Sequence, residues 1–317
     1  LGEPDNVGAD FAIIIPALNE ETHIGRTLAA LSDVDRVAGV PGEAIVVDNG
    51  STDGTVEIAE RAGARVISVP AVSIATLRNR GVKATEAAIL CFLDADCEVT
   101  SEWKAALGEL IRAGETNLLT GAHCSLPPNV TWFQSILSSF PEASSLKHIA
   151  TGNLIVTRDV FERINGFNPD LTTGEDYDFC RRARAADARM EMRPRFEVFH
   201  HGYPDTVSTY FHRQRWHGRG DYESWESFLS SKPAQLSIIH HVALLASLIL
   251  VIIGYWASGV ILFFLVCLLP SVLVAFLRGR PSAKSFPVLI FLFWVYLTAR
   301  AFSFIDVHIL RHGRRWR

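Results

Sequence analysis

Short apolar, β-branched runs alternate with amphipathic stretches through the first half of the chain. Ala12–Pro16 reads as a buried strand and Glu20–Leu31 as a helix. Ala44–Val47 is a second strand, Thr55–Ala62 a second helix and Val66–Val69 a third strand. Ser73–Ala84 is helical in pattern, and Ala88–Leu93 is a strand that runs into acidic residues. Strands that are apolar throughout are buried on both faces, so the alternation predicts a Rossmann-like, mostly parallel α/β sheet flanked by helices. Further on, Ser101–Ala113 is a Ser-capped helix, Gly121–Pro128 a loop and Ile149–Thr157 a strand. Asp159–Asn165 is a short helix stopped by Gly166, Gly174–Ala186 a helix that opens on acidic residues, and Phe196–His200 a late strand. Thr206–Leu229 is a helix or broken helix rich in Trp, Phe, Arg and His.

The pattern changes after Lys232. From Pro233 to Leu277, about 45 residues carry no Asp, Glu, Lys or Arg, enough for two helical spans of about 20 residues each. Leu236–Ile253 and Val260–Leu277 are the expected spans, joined by a turn at Gly254–Gly259. Phe286–Leu310 is also apolar but holds Arg300, Asp306 and His308. Two spans return the chain to its starting side, where Arg278 and Arg280 fit the positive-inside tendency; a third would carry Arg311–Arg317 across against it. The expectation is two spans, with Phe286–Leu310 re-entrant, tilted or interfacial, and three spans as the alternative. The chain divides into a domain 1–232, with an interfacial helical region at about 206–232, and a membrane module 233–317.

Charge is segregated along the same boundary. Beyond Leu277, eight basic residues stand against Asp306 alone, about +7, which leaves about −11 on residues 1–232. An acidic domain argues against a nucleic-acid partner, and a basic tail beside apolar spans suits anionic lipid headgroups. The five cysteines (Cys91, Cys97, Cys124, Cys180, Cys267) show no CxxC spacing, which fits a reducing compartment. Leu1–Asp10 is polar and acidic with no secretory leader, so the first domain is expected in the cytosol, carried by an integral protein of the inner (plasma) membrane.

The polar clusters fall at the carboxyl ends of the predicted strands, where open α/β sheets bind ligands: Asn19-Glu20 after the first, Asp48-Asn49 after the second, Asp94-Ala95-Asp96 after the fourth. Two carboxylates one residue apart can converge as a chain leaves a strand, and such oxygen donors suit Mg²⁺ or Mn²⁺, ions that usually also hold substrate phosphates. A lone pair of this kind is common on surface loops. Here it stands in an ordered series: Ile13-Ile14-Ile15-Pro16-Ala17-Leu18-Asn19-Glu20-Glu21, Val46-Val47-Asp48-Asn49-Gly50-Ser51, Arg78-Asn79-Arg80-Gly81, Phe92-Leu93-Asp94-Ala95-Asp96, Gly152-Asn153, Gly166-Phe167 and Thr173-Gly174-Glu175-Asp176. Over about residues 11–220 the series resembles the family 2 glycosyltransferases of GT-A fold, in a membrane-anchored bacterial form.

The resemblance implies roles at the matching positions. Pro16, Ala17, Asn19, Glu20 and Asp48 would contact the nucleoside, Arg78 the ribose or diphosphate, and Asp94 the ribose and metal. Asp96 would ligate Mn²⁺ or Mg²⁺ directly. Asp176 would be the general base, oriented by Glu175, and direct displacement would invert the anomeric centre. The donor would be a UDP- or GDP-sugar, the acceptor lipid-linked, or polyprenyl phosphate itself, in envelope polysaccharide or glycolipid synthesis. His201 is a further candidate ligand, His in general being acceptable to Mn²⁺. Two departures stand out. Asn49 replaces a second Asp, and Arg215-Trp216 is preceded three residues earlier by His212 where processive synthases carry Gln, which favours a single transfer over polymerisation. Arg215 and Trp216 remain candidates for the acceptor or the membrane interface, with Arg213 and Arg219 beside them. A non-catalytic membrane scaffold is the rival reading, and the retained acidic residues speak against it.

Overall fold

The computed structural model describes residues 10–138, 148–278 and 286–309; Arg280, Lys284 and residues 311–317 of the basic tail lie outside them. The strands are β1 Phe11–Ala17, β2 Gly42–Asp48, β3 Arg65–Ser68, β4 Ile89–Leu93, β5 Cys97–Val99, β6 Leu118–Gly121, β7 Cys124–Ser125, β8 Asn153–Thr157, β9 Arg189–Met192 and β10 Val198–His200. The helices are α1 Ile24–Leu31, α2 Val34–Ala38, α3 Thr55–Arg61, α4 Ile74–Lys83, α5 Ser101–Arg112, α6 Trp132–Ser138, α7 Arg158–Arg163, α8 Glu175–Ala185, α9 Val207–His217, α10 Trp225–Ser230, α11 Lys232–Ile252, α12 Trp256–Arg278 and α13 Phe286–His308. They fall into two compact units, residues 10–128 with 148–203, and residues 129–138 with 204–278 and 286–309.

The first unit is built on a seven-stranded sheet in the order β3-β2-β1-β4-β8-β6-β9. β1, β2, β3 and β4 run parallel, β8 is antiparallel to both β4 and β6, and β9 is parallel to β6. This is the mostly parallel sheet that the continuous apolar runs predict. All seven residues of β1 are buried, because each face of the sheet is covered. Ile13 and Ile15 pack on one side with Ile24, Leu28 and Trp103. Ala12 and Ile14 pack on the other with Leu77, Phe92, Phe167 and Phe179. Gly81 lets α4 approach β1 closely, since a Cβ there would lie 2.4 Å from Ile14 Cγ2. β1 is the point where strand order reverses. Its pairing with β4 ends at Ile14–Phe92, while its pairing with β2 continues to Ala17–Asp48. The strands therefore part beside Pro16, which has no N–H to extend a ladder, and a crevice opens at the carboxyl edge.

Several elements differ from expectation for local reasons. α1 starts at Ile24 rather than Glu20, because Asn19 takes a left-handed backbone (φ 57°) and the N–H groups of residues 19–21 bond to side chains of Ser51, Thr55 and Asp53. The loop expected at Gly121–Pro128 contains the two-residue strand β7, which joins β5 and β10 in a small sheet of order β5-β10-β7. In that sheet β5 lies antiparallel to β10, with Cys97 opposite His200.

The second unit is helical. α11 and α13, of 21 and 23 residues, are long and apolar enough to cross a membrane, and α12 runs 23 residues with Arg278 its one charged residue. Ile239, Val242, Leu245, Leu248 and Ile252 of α11 are all exposed, an outward apolar surface unlike the solvent face of a soluble helix. Between helices, buried hydroxyls bond to carbonyls: Ser237 Oγ donates to Leu297 O at 2.6 Å and Ser247 Oγ to Gly259 O at 2.7 Å. The polar side chains near the end of α13 are spaced three apart, hence on one face. Arg300 donates to Asp221 at 2.7 Å, Ser303 to Arg215 O at 2.6 Å, and the fully buried Asp306 accepts from Arg215 and Arg219. Asp306→Ala would leave the guanidinium groups of Arg215 and Arg219, 25% and 15% exposed, without their shared acceptor, and losing a partner from such a part-buried bond costs about 1–3 kcal/mol. Thermal unfolding in detergent should show a clear drop for this variant. Arg61→Ala, whose partner Glu57 is exposed, should shift stability by under about 0.5 kcal/mol.

Candidate active site

The crevice at the carboxyl edge is walled by two loops that hold each other. Asn19 Oδ1 accepts from the Thr52 N–H at 2.9 Å, and its own N–H donates to Ser51 Oγ at 2.9 Å. Asp48, buried at the end of β2, accepts from the N–H groups of Gly50 (2.9 Å) and Ser51 (3.2 Å). Asn49 spends its amide on Val72, accepting from N at 3.0 Å and donating to O at 3.3 Å. The residue that departs from the family pattern thus ties down the loop before α4. Pro16 and Ala17 end β1 beside Val47 and Asp48, both strands' backbones being buried there.

The acidic turn after β4 is pinned on three sides. Cys97 N donates to Asp94 O at 3.1 Å, Thr27 Oγ1 to Ala95 O at 2.7 Å, and His201 N to Asp96 O at 2.9 Å. Two glycines make room for the carboxylates: a Cβ on Gly152 would lie 2.9 Å from Asp94 Oδ2, and one on Gly202 1.8 Å from Asp96 Oδ2. Arg78, from α4, is 1% exposed and reaches under the sheet edge. It donates from Nη2 to Asp94 Oδ1 at 3.0 Å and from Nη1 to Glu175 Oε1 at 2.7 Å. One guanidinium therefore joins two acidic motifs that lie far apart in sequence. Glu175 and Asp176 open α8, where the helix dipole favours negative charge. Asp176 is half-buried, and burial followed by the neighbouring Glu175 raises its pKa above the usual carboxylate range.

The field in the crevice is strongly negative. Burial, then Asp96, Asp94 and Asp53, push the Glu20 carboxyl up to about 8. A buried carboxyl that keeps its proton beside three acidic side chains marks a site short of positive charge, which a divalent cation would supply. On the far side of Asp96 stand imidazoles. His200 Nε2 lies 3.5 Å from Asp96 Oδ1. His201 turns away: its Nδ1 accepts from Arg26 Nη1 at 2.9 Å, and its Nε2 donates to Glu98 at 2.7 Å. Sequence reasoning singled out His201; the structure puts His200 on the side of Asp96. The choice depends on the register of β10 against β5, which a two-residue period leaves ambiguous by one position. Cys97, Gly202 and the Arg26–His201–Glu98 chain were not anticipated. For Arg215 and Trp216, both on α9, the second unit shows the Arg215 guanidinium paired with Asp306 and Trp216 half-buried.

Two family models match the chain: glycosyl transferase family 2 over residues 12–162, and glycosyl transferase family group 2 over residues 108–303. Glycosyltransferase AglE of Haloferax volcanii is 31% identical over 187 residues, 55% of this chain and 61% of its own. Glucosyl-3-phosphoglycerate synthase of Mycolicibacterium paratuberculosis is 36% identical over 102 residues, 30% of each chain. The chain thus spans less than two thirds of either relative. Among solved structures, the mannosyltransferase PcManGT from Pyrobaculum calidifontis, in complex with GDP-Man and Mn²⁺, superposes with a TM-score of 0.58 at 17% identity, over 96% of this chain and 89% of that one. S. aureus TarS 1-349, in complex with UDP-GlcNAc, gives 0.51 at 17% identity over 97% and 93%. Both carry the same mixed α/β architecture.

The Glu20 carboxyl generates a pH prediction for the metal-free protein. Its folded pKa, about 8, lies above its ordinary value of 4.5, so between those values the folded state holds a proton that the unfolded chain releases. Stability should therefore fall as pH rises through that window and level off above about 8. Thermal unfolding in chelator across the window should show a shallower slope for Glu20→Gln.

Proposed function

Because the chain belongs to the family 2 glycosyltransferases of GT-A fold, whose group model spans well over half of it, we propose that it moves a single sugar from a UDP- or GDP-sugar to a lipid-linked acceptor, in an inverting, metal-dependent reaction at the cytoplasmic face of the inner membrane. The observation that carries this reading is the Arg78 bridge, which sets Asp94 of the donor-side turn and Glu175 of the acceptor-side helix against one buried cation. PcManGT, with GDP-Man and Mn²⁺, and TarS, with UDP-GlcNAc, share this fold and bind donors of the proposed class. The exposed apolar faces of α11 and α13 support a membrane setting and a lipid-borne acceptor.

Each residue takes a role that its surroundings suit. The interlocked loops at Asn19 and Asp48 hold the nucleoside. Asp96, with Asp94 and His200, would hold Mn²⁺ or Mg²⁺, a fit favoured by the convergent oxygen and nitrogen donors and by the excess negative charge felt at Glu20. When bound, the ion offsets negative charge on the departing diphosphate. Arg78 holds Glu175 in place through its Nη1 bond. Asp176, with its raised pKa, takes the proton from the acceptor hydroxyl as that oxygen attacks the anomeric carbon. Arg215 and Trp216 belong to the interface helix, Arg215 through its bond to Asp306.

The test is a transfer assay on the detergent-solubilised protein with UDP- and GDP-sugars, Mn²⁺ and a lipid-linked sugar acceptor. Asp176→Asn should cut transfer to a hydroxyl by about 10²–10⁴-fold while donor still raises the melting temperature. Full activity in that variant would remove Asp176 as the base. A rate on polyprenyl phosphate that survives the substitution would identify a phosphate oxygen, which needs little deprotonation, as the acceptor. Asp96→Asn should abolish both transfer and the Mn²⁺-dependent part of donor binding.

A further inference from the structure

Beside Asp96 the chain places a sulfur. Cys97 opens β5 and is fully buried, with Sγ 3.9 Å from Asp96 Oδ1. Across the β5–β10 pairing it stands opposite His200, whose Nε2 is 3.5 Å from that same oxygen. One donor atom from each of Asp96, Cys97 and His200 lies within 4.8 Å of the other two. Ligands bound at ordinary lengths to a single zinc-class ion stand about 3–4 Å apart, so the three donors are already near that spacing.

Two further features bear on the site. His200 is 8% exposed and faces Asp96 through Nε2, and no hydrogen bond at its buried Nδ1 competes with that contact. Gly202 closes over Asp96 so tightly that its carboxylate is held in position. The side chain of Asp96 is 18% exposed and that of His200 10%, which leaves an ion a path from the crevice while the sulfur stays behind. Donor type then decides which ion prefers the site. Carboxylate alone suits Mg²⁺ and Mn²⁺; imidazole and thiolate shift preference toward Zn²⁺, Co²⁺ and Cd²⁺.

We propose that Cys97 is a third protein ligand of the Asp96–His200 cation site, giving it an oxygen–nitrogen–sulfur set that takes thiophilic divalent ions without a nucleotide. The inference rests on the metal reading above and goes beyond it in naming the residue that sets ion selectivity. With Cys97 in the set, Zn²⁺-class ions bind the protein alone and compete with the harder ion that arrives with the donor phosphates. Cys124, on β7, lies against the Cys97 thiol, and serves as the control for a sulfur that is near but outside the set.

The experiment adds Co²⁺ to the metal-free, detergent-solubilised full chain without nucleotide, followed by absorption spectroscopy and calorimetry. A thiolate-to-cobalt charge-transfer band should grow to one equivalent, vanish in Cys97→Ser and persist in Cys124→Ser. Cys97→Ser should weaken Co²⁺ about tenfold or more, and Mn²⁺ with nucleotide-sugar by less than about threefold. Cys97→Ala gives the same readout should the serine variant unfold. Co²⁺ binding without the band, or a band unchanged in Cys97→Ser, overturns the sulfur ligand and leaves the glycosyltransferase reading standing. Failure of both Co²⁺ and Mn²⁺ to bind, even with nucleotide-sugar, overturns the metal reading and this inference with it.

Discussion

The buried guanidinium of Arg78 organises the first unit's chemistry. A cation at 1% exposure is tolerable only where carboxylates answer it, and here the two that do so belong to separate parts of the chain, Asp94 after β4 and Glu175 at the start of α8. Removing either acid would leave the arginine in debt to the interior. The bridge therefore couples the placement of the two acidic motifs, and neither can shift without disturbing the other. Its aromatic neighbour Phe167, 5.7 Å from the guanidinium carbon, is part of the core under the sheet, so the site's electrostatics are anchored in packing rather than in loops.

Around that fixed cation the remaining charges are unbalanced. Glu20, Asp94 and Asp96 share one crevice, and Arg78 neutralises only part of their sum. Burial first, and then these neighbours, keep the Glu20 proton on to about pH 8. A domain that keeps such repulsion folded is prepared for a partner of opposite sign, and the imidazole of His200 and sulfur of Cys97 stand where that partner would be shared. The same economy explains Asn49. With Asp48 already committed to the N–H groups of Gly50 and Ser51, a neutral amide at 49 stitches Val72 into place and adds no further negative charge.

Much of the scaffold was legible in the sequence because it follows from burial alone. β1 and β4 are apolar along their whole length and β2 from Ala44 to Val47, and such runs fit a parallel sheet covered on both faces. The acidic clusters at strand ends were legible for a similar reason, since topology fixes where those ends lie. What pattern could not reach was tertiary pairing. Nothing local tells Arg78 apart from the more exposed Arg80 on the same helix, because the distinction lies in two acids brought in by other elements. His200 and His201 differ only by strand parity, and the deciding partner, Cys97, sits on a three-residue strand too short for periodicity. The unbroken helix at Phe286–His308 was obscured by its charged residues, whose partners lie on α9 and in the turn that follows it.

That polar stripe on α13 has a consequence for how the molecule is made. A carboxylate entering a bilayer alone meets a barrier of several kcal/mol, and the cost is lowest when its counter-ion is at hand. Arg215 precedes Asp306 by 91 residues, so the ribosome delivers the cationic side of the seam well before the anionic one. α13 thus emerges to a docking surface already synthesised, and chain order itself spares Asp306 a solitary insertion.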